Sequence, residues 1–322
     1  MPDNKPTLVE VIRSLKEYQG ILRKGHSWMF REIVGEFFGE DAGFMSLGEH
    51  EVVLTTDGIW EKVIEADLEW AGFVSILVNV HDIYAMGAKP VMAVNVISAK
   101  SSDDLKKILS GIERGIRLFG IKMVKGHLHP ESSRNSIDVA MVGIGKREKL
   151  LRSNTAKSGD EIVIAVDTDG QFHEKLPYNF DSTSKPRDIF IRQFESMIHI
   201  AEEELVSSAK DLSNAGILGT AAMLLEVSNA GGIIDLDKIP TPDGADIIQW
   251  LKCYPACGFV CTAENGKEAV KIFRKHSIEA EIVGEVDDSK LLRLKLGNEE
   301  GVFYDFRREG VLGIWKKRQN YK

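Results

Sequence analysis

Apolar positions at the start of the chain recur with helical spacing. Leu8, Val9, Val11, Ile12, Leu15 and Tyr18 form such a series before Gly20 interrupts it. Residues 20–27, with two glycines and the cations Arg23 and Lys24, predict a mobile connection, and a second helical run continues through Phe38. From Glu51 the pattern alternates between strand and helix periods. Residues 51–56 are rich in β-formers and end in the turn-like Asp57-Gly58. Residues 68–86 predict a long apolar helix closed by Gly87, and residues 90–98 a buried strand. Ser101-Ser102-Asp103-Asp104 supplies caps and first-turn acids for a helix ending at Gly120. Residues 121–125 and 137–146 read as two more strands.

A polar, small-residue stretch at 152–160 predicts the interdomain linker. Beyond it, residues 161–166 read as a strand, followed by a long polar stretch to Arg187 and a helix to about Leu205. A helix at 215–227, strands near 231–236, 258–263 and 279–286, and a helix at 266–276 complete the pattern. The expected organisation is an N-terminal helical segment with a mobile loop (1–50) and two α+β domains of similar size, 51–150 and 151–322.

Charge narrows the function. The chain has 322 residues, with 41 lysines and arginines against 49 acids, a net charge of −8. That sign repels nucleic acids and anionic membranes, so neither is expected as a partner. No apolar run approaches the roughly 20 residues of a membrane span. The first ten residues lack a signal-peptide core, and three cysteines make no disulfide framework. The expected compartment is the cytoplasm.

Candidate chemistry is mostly carboxylate. Glu40-Asp41 follows Gly39, Asp57 ends a strand, and Asp211 precedes Ser213-Asn214-Ala215-Gly216. Asn79 and Asp82 share one face of the apolar helix. An aspartate there is costly unless neutralised; a magnesium ion would do so, as would backbone donors or a basic side chain. Neither a P-loop nor a G-x-G-x-x-G fingerprint is present. His127 and His129 invite a zinc reading, but no other ligands stand nearby, and a loop turning over the sheet edge is at least as good an account. Cys253, Cys257 and Cys261 are spaced by four, yet Pro255 and Gly258 argue against a helix that would align them, leaving small buried side chains.

Taken together, these segments resemble the aminoimidazole ribonucleotide synthetase superfamily, which includes selenophosphate synthetase, thiamine-monophosphate kinase and the hydrogenase maturation dehydratase. Gly39-Glu40-Asp41-Ala42-Gly43 resembles its G-D-D-A-A, and Thr55-Thr56-Asp57-Gly58 its T-T-D-G. The run from Val78-Asn79 through His81-Asp82 to Gly87-Ala88-Lys89-Pro90 resembles V-N-x-S-D-x-x-A-M-G-A-x-P. Ala156-Lys157-Ser158-Gly159-Asp160 and Asp211-Leu212-Ser213-Asn214 fit two further motifs. The resemblance implies a two-domain α+β fold whose N-terminal mixed sheets join into a barrel in a homodimer. It implies ATP in a groove near that interface, with Asp41, Asp57 and Asp82 holding magnesium against the triphosphate. Asn79, Gly126 and His127 would lie near the nucleotide, Asp57 would serve it too, Asp211 would face the acceptor, and Lys24 would close over the phosphates.

Departures from the pattern bear on substrate. Glu40 is one carbon longer than the family's aspartate, and no cysteine precedes Cys253. The chain ends in Gln319-Asn320-Tyr321-Lys322 rather than a reactive cysteine. Lys125-Gly126-His127 stands in place of the thiamine-monophosphate kinase G-G-N, so none of the four familiar activities fits. The segments 64–72, 78–82 and 126–130 are most similar to a branch containing methanogenesis marker protein 2. The expectation is an enzyme that uses magnesium and ATP to activate an amide, carboxylate or phosphate oxygen by phosphoryl transfer. The competing expectation is a non-catalytic nucleotide sensor or assembly subunit on the same fold.

Overall fold

The computed structural model describes residues 6–316. The chain begins with α1 (Leu8–Lys16) and α2 (Gln19–Lys24), then short helical turns that include α3 (Arg31–Val34). β1 (Gly43–Leu47) and β2 (His50–Gly58) pair as a hairpin, and α4 (Glu61–Ala66) leads into α5 (Leu68–Ala85). β3 (Lys89–Ser98), α6 (Ser102–Phe119), β4 (Lys122–His129) and β5 (Ser136–Lys146) complete the first unit. Its sheet runs β1-β2-β5-β3-β4, with only β3 and β4 parallel.

The helices of this unit start where their caps dictate. Asp67 accepts the backbone N–H groups of Glu69 and Trp70 at the head of α5, Ser101 accepts that of Asp104 in α6, and Gly120 ends α6 with φ 70°. The two helices cover one face of the sheet. The other face is open and apolar: Met45, Leu47, Leu54, Met92, Val94 and Val96 are 38–62% exposed. Register puts Met45 beside Val52, Leu54 beside Val142 and Val94 beside Ala140, so these side chains form one continuous surface.

The second unit contains β6 (Glu161–Val166), β7 (Gln171–His173), β8 (Leu176–Asp181), α7 (Arg187–Glu202), β9 (Ser208–Asp211), α8 (Gly216–Val227) and β10 (Gly231–Asp235). α9 (Ile247–Leu251), β11 (Tyr254–Pro255), β12 (Gly258–Ala263), α10 (Gly266–Lys275), β13 (Glu279–Asp287), β14 (Leu291–Leu296) and β15 (Glu299–Asp305) follow. The main sheet is mixed, in the order β15-β14-β10-β13-β6-β12-β9; β11, β8 and β7 form a small second sheet. β6 shows why its sequence is apolar after Glu161. Ile162, Ile164 and Val166 enter a core with α8 and α1, whereas Val163 and Ala165 enter another with α5, α7 and α10.

Several expectations need correction. Residues 20–27 are not an irregular connection throughout, since residues 20–24 lie in α2. Six of the surrounding residues form α2, Arg23 stacks on Trp60 at 4.1 Å, and a Cβ on Gly20 would meet the Asn214 carbonyl, so the segment is packed. The second helical run is broken into short turns. Gly126 and His127 lie on edge strand β4, not on a loop, because Asn95 and Val96 pair with them in parallel. The long polar stretch before Arg187 holds β7 and β8.

Candidate active site

The cleft between the two units encloses about 330 Å³, and four aspartates converge on it from three elements and the loop before β1. Asp57 is brought there by strand alternation: Leu54 and Thr56 face the open side of β2, so Thr55 and Asp57 face the helices. Asp82 is on the neighbouring turn of α5, and Thr55 donates its hydroxyl to Asp82 Oδ2 at 2.5 Å. Asp41 lies just before β1, and Asp211 ends β9 of the second unit. The backbone N–H of Asp211 donates to Asp41 Oδ2 at 3.2 Å, which ties the two units together at the site. One oxygen from each of Asp41, Asp82 and Asp211 lies within 4.8 Å of the others.

This grouping is electrostatically costly. Burial raises all four carboxyl pKa values, Asp41 to about 7, Asp82 well above its ordinary range, and mutual repulsion adds to Asp82. Two cations offset it. Burial opposes the charge of Lys210, but Asp41 and Asp211 outweigh that and raise its pKa; its Nζ donates to Gly39 O at 3.1 Å and to Asp41 Oδ1. Lys24, the last residue of α2, lines the cleft and favours ionised Asp57 and Asp211. Three converging hard oxygen donors with excess negative charge suit a divalent cation such as magnesium.

The cleft therefore gathers Asp41, Asp57, Asp82, Asp211 and Lys24. It does not gather the other three residues singled out in the sequence. Asn79 is fully buried one turn away, its amide nitrogen given to Ser75 O at 2.9 Å, and it does not line the cleft. Gly126 and His127 sit exposed on β4, outside the lining, because the edge strand lies across the sheet from β2. Among the described residues, neither His127 and His129 nor the three cysteines belong to a group of potential metal ligands. All three thiols are buried, and burial raises their pKa values.

Glu40 has a use that explains its length. Its Oε1 accepts Arg152 Nε at 2.9 Å and its Oε2 accepts the Ser153 N–H at 2.7 Å. Both oxygens are thus committed to the segment joining the two units. Sequence reasoning missed Lys210 and Tyr254. The phenol of Tyr254 lines the cleft with its oxygen 3.2 Å from His81 Nδ1; burial, then the nearby carboxylates, keep it protonated. The only signal for Lys210 was its place beside Asp211.

The AIR synthase related protein N-terminal domain matches residues 39–146, and the corresponding C-terminal domain matches 157–297. An uncharacterized protein of Methanocaldococcus jannaschii is 42% identical over 321 residues, covering 95% of this chain and 99% of the other. The thiamine-monophosphate kinase of Pyrococcus abyssi is 29% identical over 278 residues, covering 81% and 86% of the two chains. Among solved structures, Thermotoga maritima PurL complexed with ATP shares the fold with a TM-score of 0.72 at 21% identity. That match covers 94% of this chain and 52% of the other, so this chain spans about half the length of that protein. With both domain models matched in order and the interdomain cleft at their junction, the chain belongs to the AIR synthase related protein family.

Proposed function

We propose that the protein is an enzyme that uses magnesium and ATP to activate an oxygen of an amide, carboxylate or phosphate acceptor by phosphoryl transfer. The observation that carries this reading is the convergence of four aspartates, buried or half-buried, and two lysines on one interdomain cleft. Asp41, Asp82 and Asp211, with Asp57 beside them, would hold the metal, which would supply positive charge to the transferred phosphoryl group. Lys24 would receive phosphate oxygens from the N-terminal side. Asp211, from the second unit, would sit between the metal and the acceptor, and the Tyr254 phenol offers a donor to an acceptor oxygen. Positioning and charge stabilisation make up nearly all of such catalysis, so no protein nucleophile is required.

Relatives named as a thiamine-monophosphate kinase and a selenide, water dikinase support phosphoryl transfer as the reaction class. The likeness to the branch with methanogenesis marker protein 2 leaves the acceptor undefined. The cytoplasm remains the proposed compartment, and a homodimer the proposed assembly. A non-catalytic nucleotide-binding subunit is the second reading, and the occupation of Asp41 by Lys210 favours it.

Calorimetric titration of ATP into metal-free protein, with and without magnesium, tests both. The expected result is magnesium-dependent binding that Asp82→Asn weakens at least about 100-fold, the scale on which removal of one charged partner acts. No binding under either condition would sink the nucleotide reading. Binding without turnover across amide, carboxylate and phosphate acceptors would leave the second.

A further inference from the structure

Lys210 is the more deeply buried of the two cations in a cleft otherwise dominated by carboxylates. It is 6% exposed, it comes from a strand of the second unit, and its ammonium reaches across to Asp41 of the first. A lysine is seldom buried so deeply unless its charge is matched, and here Asp41, Asp82 and Asp211 all act on it. Both oxygens of Asp41 consequently have protein partners: Oδ1 receives Lys210 Nζ, and Oδ2 receives the Asp211 N–H. Asp41 nevertheless belongs to the trio of carboxylates close enough to share a metal ion. An ammonium and a divalent cation cannot both sit on the same oxygen without strong repulsion. Fully ionised, the four aspartates and two lysines leave an excess near two negative charges, which one divalent ion offsets.

We propose that Lys210 is a built-in cation of this cleft, occupying one position that a second divalent ion would otherwise take. It holds Asp41 in place against β9 without metal, and it limits the nucleotide-free protein to one divalent ion on the remaining carboxylates. The compact, strongly hydrated ammonium on a flexible stem suits this use, since it can shift by its own rotamers when a nucleotide brings further charge. The inference rests on the metal-dependent reading of the cleft and deepens it: the protein would differ from a purely carboxylate site in how many ions it carries and in what holds it together when empty.

The test is manganese binding to nucleotide-free protein, followed by the electron paramagnetic resonance signal of free Mn2+, in wild type, Lys210→Met and Lys210→Arg. One ion per chain is expected for wild type and Lys210→Arg. Lys210→Met should bind a second ion, or bind the first at least about tenfold more tightly, because a unit positive charge beside the ligands has gone. Wild-type binding with unchanged number and affinity in Lys210→Met overturns this inference alone, as do two ions in the wild type. Manganese bound by neither protein overturns the metal reading as well. Should Lys210→Met not fold in the absence of metal, circular dichroism with added manganese decides. Recovery of the folded spectrum supports a shared cation position, and a chain that stays unfolded at saturating manganese overturns it.

Discussion

His81 lies one residue before Asp82 on α5, yet it points away from water altogether. Its ring packs against Phe194 at 5.0 Å and Phe259 at 5.8 Å, and among the described residues its side chain hydrogen-bonds only Tyr254. Burial drives its pKa down to about 3, so the folded protein holds a neutral imidazole. The unfolded chain takes up a proton near the ordinary histidine value and the folded one does not. His81 thus contributes stability above about pH 6.5 that is lost as pH falls toward 3. The raised aspartates act in the opposite sense, losing stability as pH rises, so the His81 contribution must be isolated. Urea unfolding of wild type and His81→Gln at pH 7 and 4.5 does so: on acidification the wild type should lose about 2–3 kcal/mol more than the variant. Equal losses would show that the imidazole is protonated in the folded state. At this scale the sequence revealed the acids, since Asp57 and Asp82 stand in long motifs. It hid Lys210, because a lysine beside an aspartate reads as an ordinary surface pair until β9 is seen to be buried. It also hid the role of Glu40, whose partners are more than 100 residues away in sequence.

α5 and α6 show what single glycines do for an element. A Cβ on Gly111 would stand 1.9 Å from the Glu69 carbonyl oxygen and 2.6 Å from the Phe73 nitrogen, and one on Gly72 2.1 Å from the Ile108 carbonyl. The two helices therefore touch backbone to backbone at this crossing. Gly111→Ala, harmless to an isolated helix, should here cost roughly 2–4 kcal/mol by forcing the helices apart, read as a lower melting temperature. An unchanged melting temperature would mean the helices do not meet this closely. Both helices were legible, because a long apolar run and a capped amphipathic pattern leave few alternatives. β1, β7, β8, β9, β14 and β15 were not singled out. Gln171–His173 is short and Ser208–Asp211 is both short and polar; β9 becomes a strand only because β12, distant in sequence, holds it. The helix α2 was missed for a related reason: Gly20 reads as a break in the pattern, yet a Cβ there would meet the Asn214 carbonyl, so it serves close approach.

For the whole molecule, the apolar face of the first sheet is the outstanding surface. Met45, Leu47, Leu54, Met92, Val94 and Val96 lie together on it, a contiguous exposed apolar surface of the kind that marks an interaction face. The proposed homodimer would bury it sheet against sheet, and the central position of Leu54 makes it the residue to change. Light scattering should give a dimer for wild type and a monomer for Leu54→Asp, whose buried charge would be unpaired. A monomeric wild type at micromolar concentration would refute this assembly. The division into two α+β units was visible in the chain's alternating pattern, whereas the cleft between them was not. Which face stays open followed only from register, because exposed and buried apolar strands look alike in sequence.

The packing of α1 also sets an order of events during synthesis. Leu8, Val11 and Leu15 are buried, and the Leu8 N–H donates to Glu299 Oε2, 291 residues away. The sheet of residues 43–146 has all its pairing partners within the first half of the chain and can form while the rest is being made. α1 cannot. At roughly 5–20 residues per second, its apolar stripe waits about 15–60 s on the ribosome for β14 and β15 to appear. The segment that carries Lys24 waits as long, since Lys316 donates to the Gly25 carbonyl and Leu312 accepts the Trp28 N–H. The residues of α1 and α2 thus settle only after β14, β15 and Leu312 have emerged, and the Lys24 side of the cleft takes its final form with them.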